Sequence, residues 1–191
     1  QDMTPSIAVT RIGVTAPPPS FADLRQRLHA LGANHEHIAH LLRTWLHARA
    51  FDTGRRRLDN FLPQRVRDML PGLADELAAC ASVQADHAAG DGASRMLVAL
   101  HDRQTVETVL LPPREGARGA HGVCVSTQVG CAVGCTFCKT GEGGLARQMG
   151  SLEIAAQLAL ARTRRRVNKV VFMGMGEPAH NLDAVLEAID A

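Results

Sequence analysis

The sequence predicts an α/β protein: a helical module, a β-hairpin, and then two successive β-loop-α units. Three observations predict it. Apolar residues recur at helical spacing from Phe21 onward, two β-like runs flank the polar stretch His101-Asp102-Arg103-Gln104, and from Val123 the pattern runs strand, loop, helix, strand, loop, helix. Two βα units in succession imply a parallel sheet or barrel, whose functional loops lie at the C-terminal ends of its strands. A chain of 191 residues can close one good core, or one small and one larger partial domain, around such elements.

Residues 1–19 contain Pro17-Pro18-Pro19 and no helical period, so a flexible, extended leader is expected there. Ser20 offers an N-cap to a helix carrying Phe21, Leu24, Leu28 and Leu31, which Gly32 ends. Asn34 caps a second helix with Ile38, Leu41, Leu42, Trp45 and Leu46 on one stripe. A third, short helix is expected between Phe51 and Pro71, with Pro63 tolerated in a first turn. Together these form a helical module over residues 20–90. Residues 95–100 and 105–111 read as a hairpin, within a connector spanning 91–113. The Pro-, Gly- and Arg-rich run 112–119 is the expected boundary to a segment covering 114–191. In that segment 123–129 is a strand, 130–150 a glycine-rich loop, and Ser151 the cap of a helix with Ile154, Leu158 and Ala161. Residues 167–173 form the second strand and 174–180 its loop, and Asn181 caps a helix with Leu182, Val185, Leu186 and Ile189. The chain starts on Gln1 and stops at Ala191 inside a helical pattern, which reads as a fragment.

Composition narrows the function classes. With 46% hydrophobic and 21% charged residues and a formal charge of +2, neither disorder nor a strong nucleic-acid field is indicated. Aromatics are 3% with no tyrosine, which argues against aromatic stacking platforms for RNA. Five cysteines, three of them bunched, fit a reducing compartment better than a secreted disulfide scaffold, so a cytoplasmic location is expected. No apolar run approaches the ~18–20 residues of a membrane span, and no membrane partner is expected.

The run GCAVGCTFCKTG places Cys131, Cys135 and Cys138 three and two residues apart, a metal-site spacing. An iron–sulfur cubane normally takes four thiolates, so three would leave one iron open to a ligand other than protein. An open position marks a chemical site in place of a structural one. Zinc with Cys124 as fourth ligand is the alternative, although zinc ribbons usually pair C-x-x-C units.

The stretch CVSTQVGCAVGCTFCKTG, followed by FMGMGEP, resembles the radical S-adenosylmethionine enzymes, and within them the RlmN/Cfr family of RNA adenosine methyltransferases. The likeness runs over about residues 20–191, closest from Val106 onward. It implies the first two βα units of a partial radical SAM (βα)6 barrel, behind an accessory helical module that touches RNA. Cys131, Cys135 and Cys138 would then bind a [4Fe-4S] cluster whose open iron chelates S-adenosylmethionine, a cofactor pair that supplies radical chemistry while the protein supplies position. Phe137 would line the adenine side, with core packing as its alternative role. Gly174, Gly176 and Glu177 match the family's GEP-type motif, in which missing side chains admit the cofactor and the carboxylate pairs with its ammonium. A plain turn is the alternative.

The resemblance also covers Glu107 and Cys124. Glu107, in VETVLLP, would be the acid/base at the modified adenine, against the ordinary fate of an exposed hairpin carboxylate. Cys124 would resolve a protein–RNA crosslink through a transient disulfide, against that of a small buried hydrophobe. The methyl-carrying cysteine of the family has no counterpart here, and Cys80 is assigned to packing, so this chain alone is expected to be inactive in transfer. Implied partners are 23S ribosomal RNA, with transfer RNA as a second substrate, and an electron donor such as flavodoxin or ferredoxin. C2 of adenine is the favoured target atom. Arg55-Arg56-Arg57 and Arg162 with Arg164-Arg165-Arg166 are the basic clusters that could meet phosphates, or else solvated faces. His35, His37, His40 and His47 are read as surface helix residues. A non-catalytic iron–sulfur or zinc RNA-binding module, or a radical enzyme on another substrate, remain the rival readings.

Overall fold

The computed structural model describes residues 17–52, 57–112 and 121–191. The first sixteen residues of the expected leader, Arg55 and Arg56, and residues 113–120 of the expected boundary lie outside the described residues.

The helical module opens as the caps dictate. In α1 (Phe21–Ala30) the Ser20 hydroxyl accepts the Asp23 N–H, and Gly32 follows the helix at φ +90°. In α2 (His35–Leu46) Asn34 and His37 exchange side-chain and backbone hydrogen bonds at 2.9 and 3.1 Å. His37 and His40 also meet the Phe61 ring edge-on, so these histidines serve the packing of the module. A single turn, α3 (Leu58–Phe61), precedes α4 (Gln64–Ala79), which starts directly after Pro63 and runs through Pro71. The sequence placed the end of this helix at Pro71. An interior proline costs about 3 kcal/mol, but Val66, Leu70, Leu73 and Leu77 bury one stripe of α4. At about 1.5–3 kcal/mol for each fully buried apolar side chain, the stripe outweighs the proline.

The sheet runs β1 (Ala81–Ala88), β2 (Ser94–Leu100), β3 (Thr105–Leu110), β4 (His121–Cys124) and then β7 (Val167–Val171). The expected hairpin is therefore a three-stranded meander. β1, which falls inside the stretch read as helical, pairs antiparallel with β2 across a bulge between Val83 and Ala85. β3 and β4 are antiparallel, with Val109 opposite Cys124, and β4 and β7 are parallel, with Cys124 opposite Val171. α5 (Ser151–Arg164) makes the crossover, and α6 (Leu182–Ile189) follows β7. The two βα units are present, and the fold is α/β.

Two further corrections concern the first unit. The strand expected over 123–129 breaks after Cys124, and its continuation β5 (Gln128–Gly130) pairs instead with β6 (Leu145–Gln148), which lies inside the stretch read as loop. Ser151 does not cap α5. Gly150 occupies that position, and the Ser151 hydroxyl accepts the Phe21 N–H at 2.9 Å and donates to Glu187 on α6. Gly150 itself lies under the proline run, where a Cβ would overlap the Pro19 carbonyl and sit 3.0 Å from Pro18.

One face of the sheet, bearing Met96, Val98, Val106, Leu110 and Val123, is fully buried beneath α5. The core is continuous from Phe21 in α1 to Val185 in α6. The opposite face carries Arg95, Leu97, Glu107, Val109 and Cys124 by strand alternation. No helix among the described residues is long and apolar enough to cross a membrane.

Candidate functional site

Two loops leave the C-terminal ends of the parallel strands, 125–150 after β4 and 172–181 after β7. Their first residues form a seam. The Val125 N–H donates to Val171 O at 2.9 Å, the Gly174 N–H to Val125 O at 3.1 Å and the Thr127 N–H to Met175 O at 2.8 Å. Ser126 is the node. Its hydroxyl donates to Glu107 O at 2.6 Å and accepts the Met175 N–H at 2.9 Å. Gln157 of α5 grips the Ser126 backbone from both sides, accepting its N–H and donating to its carbonyl at 2.8 Å each, while also accepting the Thr108 hydroxyl at 2.7 Å. Asn181 donates to both Thr127 O and Met149 O at 2.8 Å, tying the second loop to the first.

This seam explains the glycines. A Cβ on Gly174 would lie 2.8 Å from Ser126 Oγ and Val125 O; one on Gly176, at φ +99°, would lie 2.6 Å from Gln128 Cβ. At both positions the missing side chain leaves room for the neighbouring loop, and this close approach of two protein backbones requires glycine. Glu177, half-buried, donates its N–H to Gln128 Oε1 at 2.7 Å, and its carboxylate accepts the Ala179 N–H at 3.0 Å.

The cysteine loop hangs from the β5–β6 ladder. Gly130 takes φ +77°, and any side chain there would overlap Gly144 O, which accepts the Cys131 N–H at 3.0 Å. Gly134 takes φ +66° and crosses Gly141, where a Cβ would meet Gly134 Cα at 3.0 Å. The Cys138 N–H bonds Cys135 O at 3.0 Å, and a turn at Lys139–Gly141 follows. Cys135 is exposed, while Cys131 and Cys138 are half-buried. Hydrogen bonds from the Thr140 hydroxyl and backbone, and from the Gly141 N–H, hold the Cys138 thiol below its usual range. That favours the thiolate, the metal-binding form. Phe137 is 90% exposed, so it is not core, and Met173 beyond β7 is 80% exposed.

Three soft sulfur donors share one solvent-accessible loop, the ligand type a thiophilic metal takes; among the described residues their sulfur atoms do not form a group within 4.8 Å of one another. Cys124 fits zinc poorly as a fourth ligand: it is buried on β4, and burial raises its thiol pKa against a partly offsetting hydrogen bond from the Met173 backbone. All five cysteines are free. Glu107 and Cys124 do come together on one sheet face, since Cys124 opposes Val109 and Glu107 lies two residues along β3. Such diagonal neighbours stand roughly 7–8 Å apart. Glu107 pairs with Arg95 at 3.2 Å and remains half-exposed.

Part of the second basic cluster is engaged within the protein, while Arg164 and Arg166 are exposed. Arg162 donates to Leu46 O, Arg164 pairs with Asp86, and Arg165 donates to Gly92 O, so these side chains fasten α5 to α2 and the meander. Of the first cluster Arg57 is described, and it is exposed.

Sequence reading missed Ser126, Gln128, Gln157 and a cluster around Arg147, and it read Asn181 as a helix cap, whereas Asn181 sits at that position with its side chain turned to the first loop and makes no capping bond. The available signals were a polar Ser-Thr-Gln run between apolar residues and a lone glutamine within the apolar run of α5; both runs are buried.

No protein-family model matches the chain. It is 61% identical over 170 residues to a protein of Pseudomonas paraeruginosa named "Probable RNA methyltransferase", a match covering 88% of this chain and 47% of that protein. A protein of the same designation from Thiobacillus denitrificans is 57% identical over 168 residues, covering 88% and 44%. Among solved structures, a radical SAM methyltransferase from Sphaerobacter thermophilus superposes with a TM-score of 0.65 at 32% identity, covering 90% of this chain and 49% of that one. The chain spans about half the length of the curated relatives it matches.

Proposed function

We propose that this chain carries the cofactor-binding part of a radical S-adenosylmethionine RNA methyltransferase of the RlmN/Cfr kind. Its substrate would be an adenosine base, with C2 the favoured atom, in 23S ribosomal RNA and also in transfer RNA. One observation carries the reading: three thiols lie on a glycine-shaped, exposed loop rooted at the C-terminal end of a parallel strand pair. The identity to proteins named as RNA methyltransferases and the likeness to a radical SAM methyltransferase support it.

Cys131, Cys135 and Cys138 are the proposed cluster ligands, and S-adenosylmethionine the proposed occupant of the open iron position. When bound, that pair supplies one-electron reductive cleavage of a carbon–sulfur bond. The chain's own residues do the rest. The Thr140 and Gly141 donors keep Cys138 inclined to the thiolate. Phe137 offers an exposed ring beside two ligands for stacking on adenine. The seam fixes Gly174 to Glu177 so that the Glu177 carboxylate can meet an ammonium group. Glu107 and Cys124, on one sheet face, are the proposed acid/base and resolving thiol. Cys80 is buried, with its thiol pushed up to about 12, and is assigned to packing.

Anaerobic reconstitution with iron and sulfide tests the reading. The reduced protein should give an EPR signal that changes on adding S-adenosylmethionine. Tight zinc with no response to the nucleotide would overturn it and favour a binding module.

A further inference from the structure

The β5–β6 ribbon that carries the cysteine loop pairs three residues with four. A two-stranded ribbon that short is marginal by itself. β5 is held by the seam, so β6 needs its own anchor. Arg147 provides it. From β6, opposite Val129, its guanidinium donates to Asp102 on the β2–β3 turn at 2.6 Å and to both oxygens of Glu153 on α5 at 2.8 and 2.9 Å. It also reaches the Gln148 carbonyl at 3.0 Å. The Arg147 side chain is 10% exposed and that of Glu153 is 0% exposed. Glu153 further accepts the Gly150 N–H at 2.9 Å and meets His101 Nδ1 at 2.7 Å. Burial raises the Asp102 carboxyl, but Arg147 and the Gln104 N–H outweigh it and hold the group below the usual carboxylate range.

The donor atoms of His101, Asp102 and Glu153 lie within 4.8 Å of one another, a spacing that could suit a metal. Arg147 already supplies the positive charge there. A buried, fully bonded ion-pair network of this kind adds little net stability over an apolar one and is best understood as fixing a geometry. The geometry fixed here is the register of β6. A slip of one residue would separate Cys131 N–H from Gly144 O and undo the Gly134–Gly141 crossing.

We infer that Arg147 and Glu153 are positioning residues for the three thiols, setting through β6 the spacing that a cluster would meet. The inference rests on the proposed ligand role of those cysteines. Arg147 faces away from solvent and is assigned no contact with substrate.

The test measures metal binding apart from activity. Cobalt(II) is titrated anaerobically into the chain and its Arg147→Ala, Arg147→Lys and Glu153→Gln variants, and thiolate charge-transfer absorption is read alongside circular dichroism. Arg147→Ala should weaken cobalt binding about tenfold, the low end for groups that orient metal ligands. Arg147→Lys should recover only part of this, because an ammonium cannot serve both carboxylates in fixed geometry. Glu153→Gln keeps the shape and the Gly150 acceptor and should fall between the two. Leu73→Ala, in the α4 core, serves as the control: it lowers the melting temperature and should leave the affinity of the folded chain unchanged. Folded Arg147 or Glu153 variants with wild-type affinity would overturn the inference; so would an equal loss in Leu73→Ala. If Arg147→Ala does not fold, Glu153→Gln decides. Wild-type chain that binds cobalt through its thiols yet assembles no iron–sulfur centre would overturn the proposed function and leave the positioning role standing.

Discussion

Residues 125–128 and 131–144 follow one another along the chain and are built on opposite plans. In the first, Val125, Ser126, Thr127 and Gln128 are all buried, and their backbone groups are bonded to β7 and its following loop, to the β6–α5 turn or to Gln157. In the second, most residues are exposed, and the backbone bonds close on the loop itself. The contrast separates two jobs. A buried polar seam specifies where the two loops sit, because each unmet bond inside it is costly. An exposed loop of thiols can be reached by a cofactor and contributes little to folding. Substitutions in the seam should therefore cost stability and chemistry together, and those in the loop chemistry alone.

The largest effect should come from Gln157→Leu. It removes four hydrogen bonds at a fully buried position and strands the Ser126 N–H and carbonyl. At about 1–3 kcal/mol for each buried group left unmet, a loss of about 3 kcal/mol or more is expected in urea unfolding. A loss below about 1 kcal/mol would erase the proposed distinction.

Cys135→Ser should do the reverse. Cys135 is exposed, so the same unfolding curve should shift by no more than about 0.5 kcal/mol. Iron and sulfide bound after reconstitution should nonetheless fall sharply. A destabilised variant would mean that the loop, too, is structural.

The mildest probe is alkylation of the metal-free chain, read by peptide mass spectrometry. Thiolate is the reacting form. A depressed pKa populates it at lower pH, and a raised one only at higher pH. Cys138, held down by Thr140 and Gly141, should be modified at lower pH than Cys124. Cys124, raised by burial, should lag, and Cys80, at about 12, should resist until the chain unfolds. Early labelling of Cys124 would mean that its strand opens readily.

Local signals in the sequence carried much of this fold. Ser20 and Asn34 cap the helices they were expected to cap, and the apolar runs around Val123 and Val170 lie in parallel strands. The thiol spacing was legible for the same reason, being contained in one short run. What was hidden depends on distant partners. β1, with the sequence ASVQADHA, has a single β-branched residue and becomes a strand through β2. α4 passes Pro71 because its buried stripe overrides local propensity. Gln157 meets Thr108 across 49 positions and Arg147 meets Asp102 across 45, so neither the seam nor the β6 anchor leaves a periodic trace.

The contact between Gly150 and the proline run has a practical side. Pro19 O accepts the Leu152 N–H at 3.2 Å, so residues just upstream of the first helix press on the start of α5, beside Glu153. A segment fused directly at Pro17 would sit next to that junction. An affinity handle joined there without slack would act as a lever on the sulfur-bearing loop, and one set far upstream would leave it at rest.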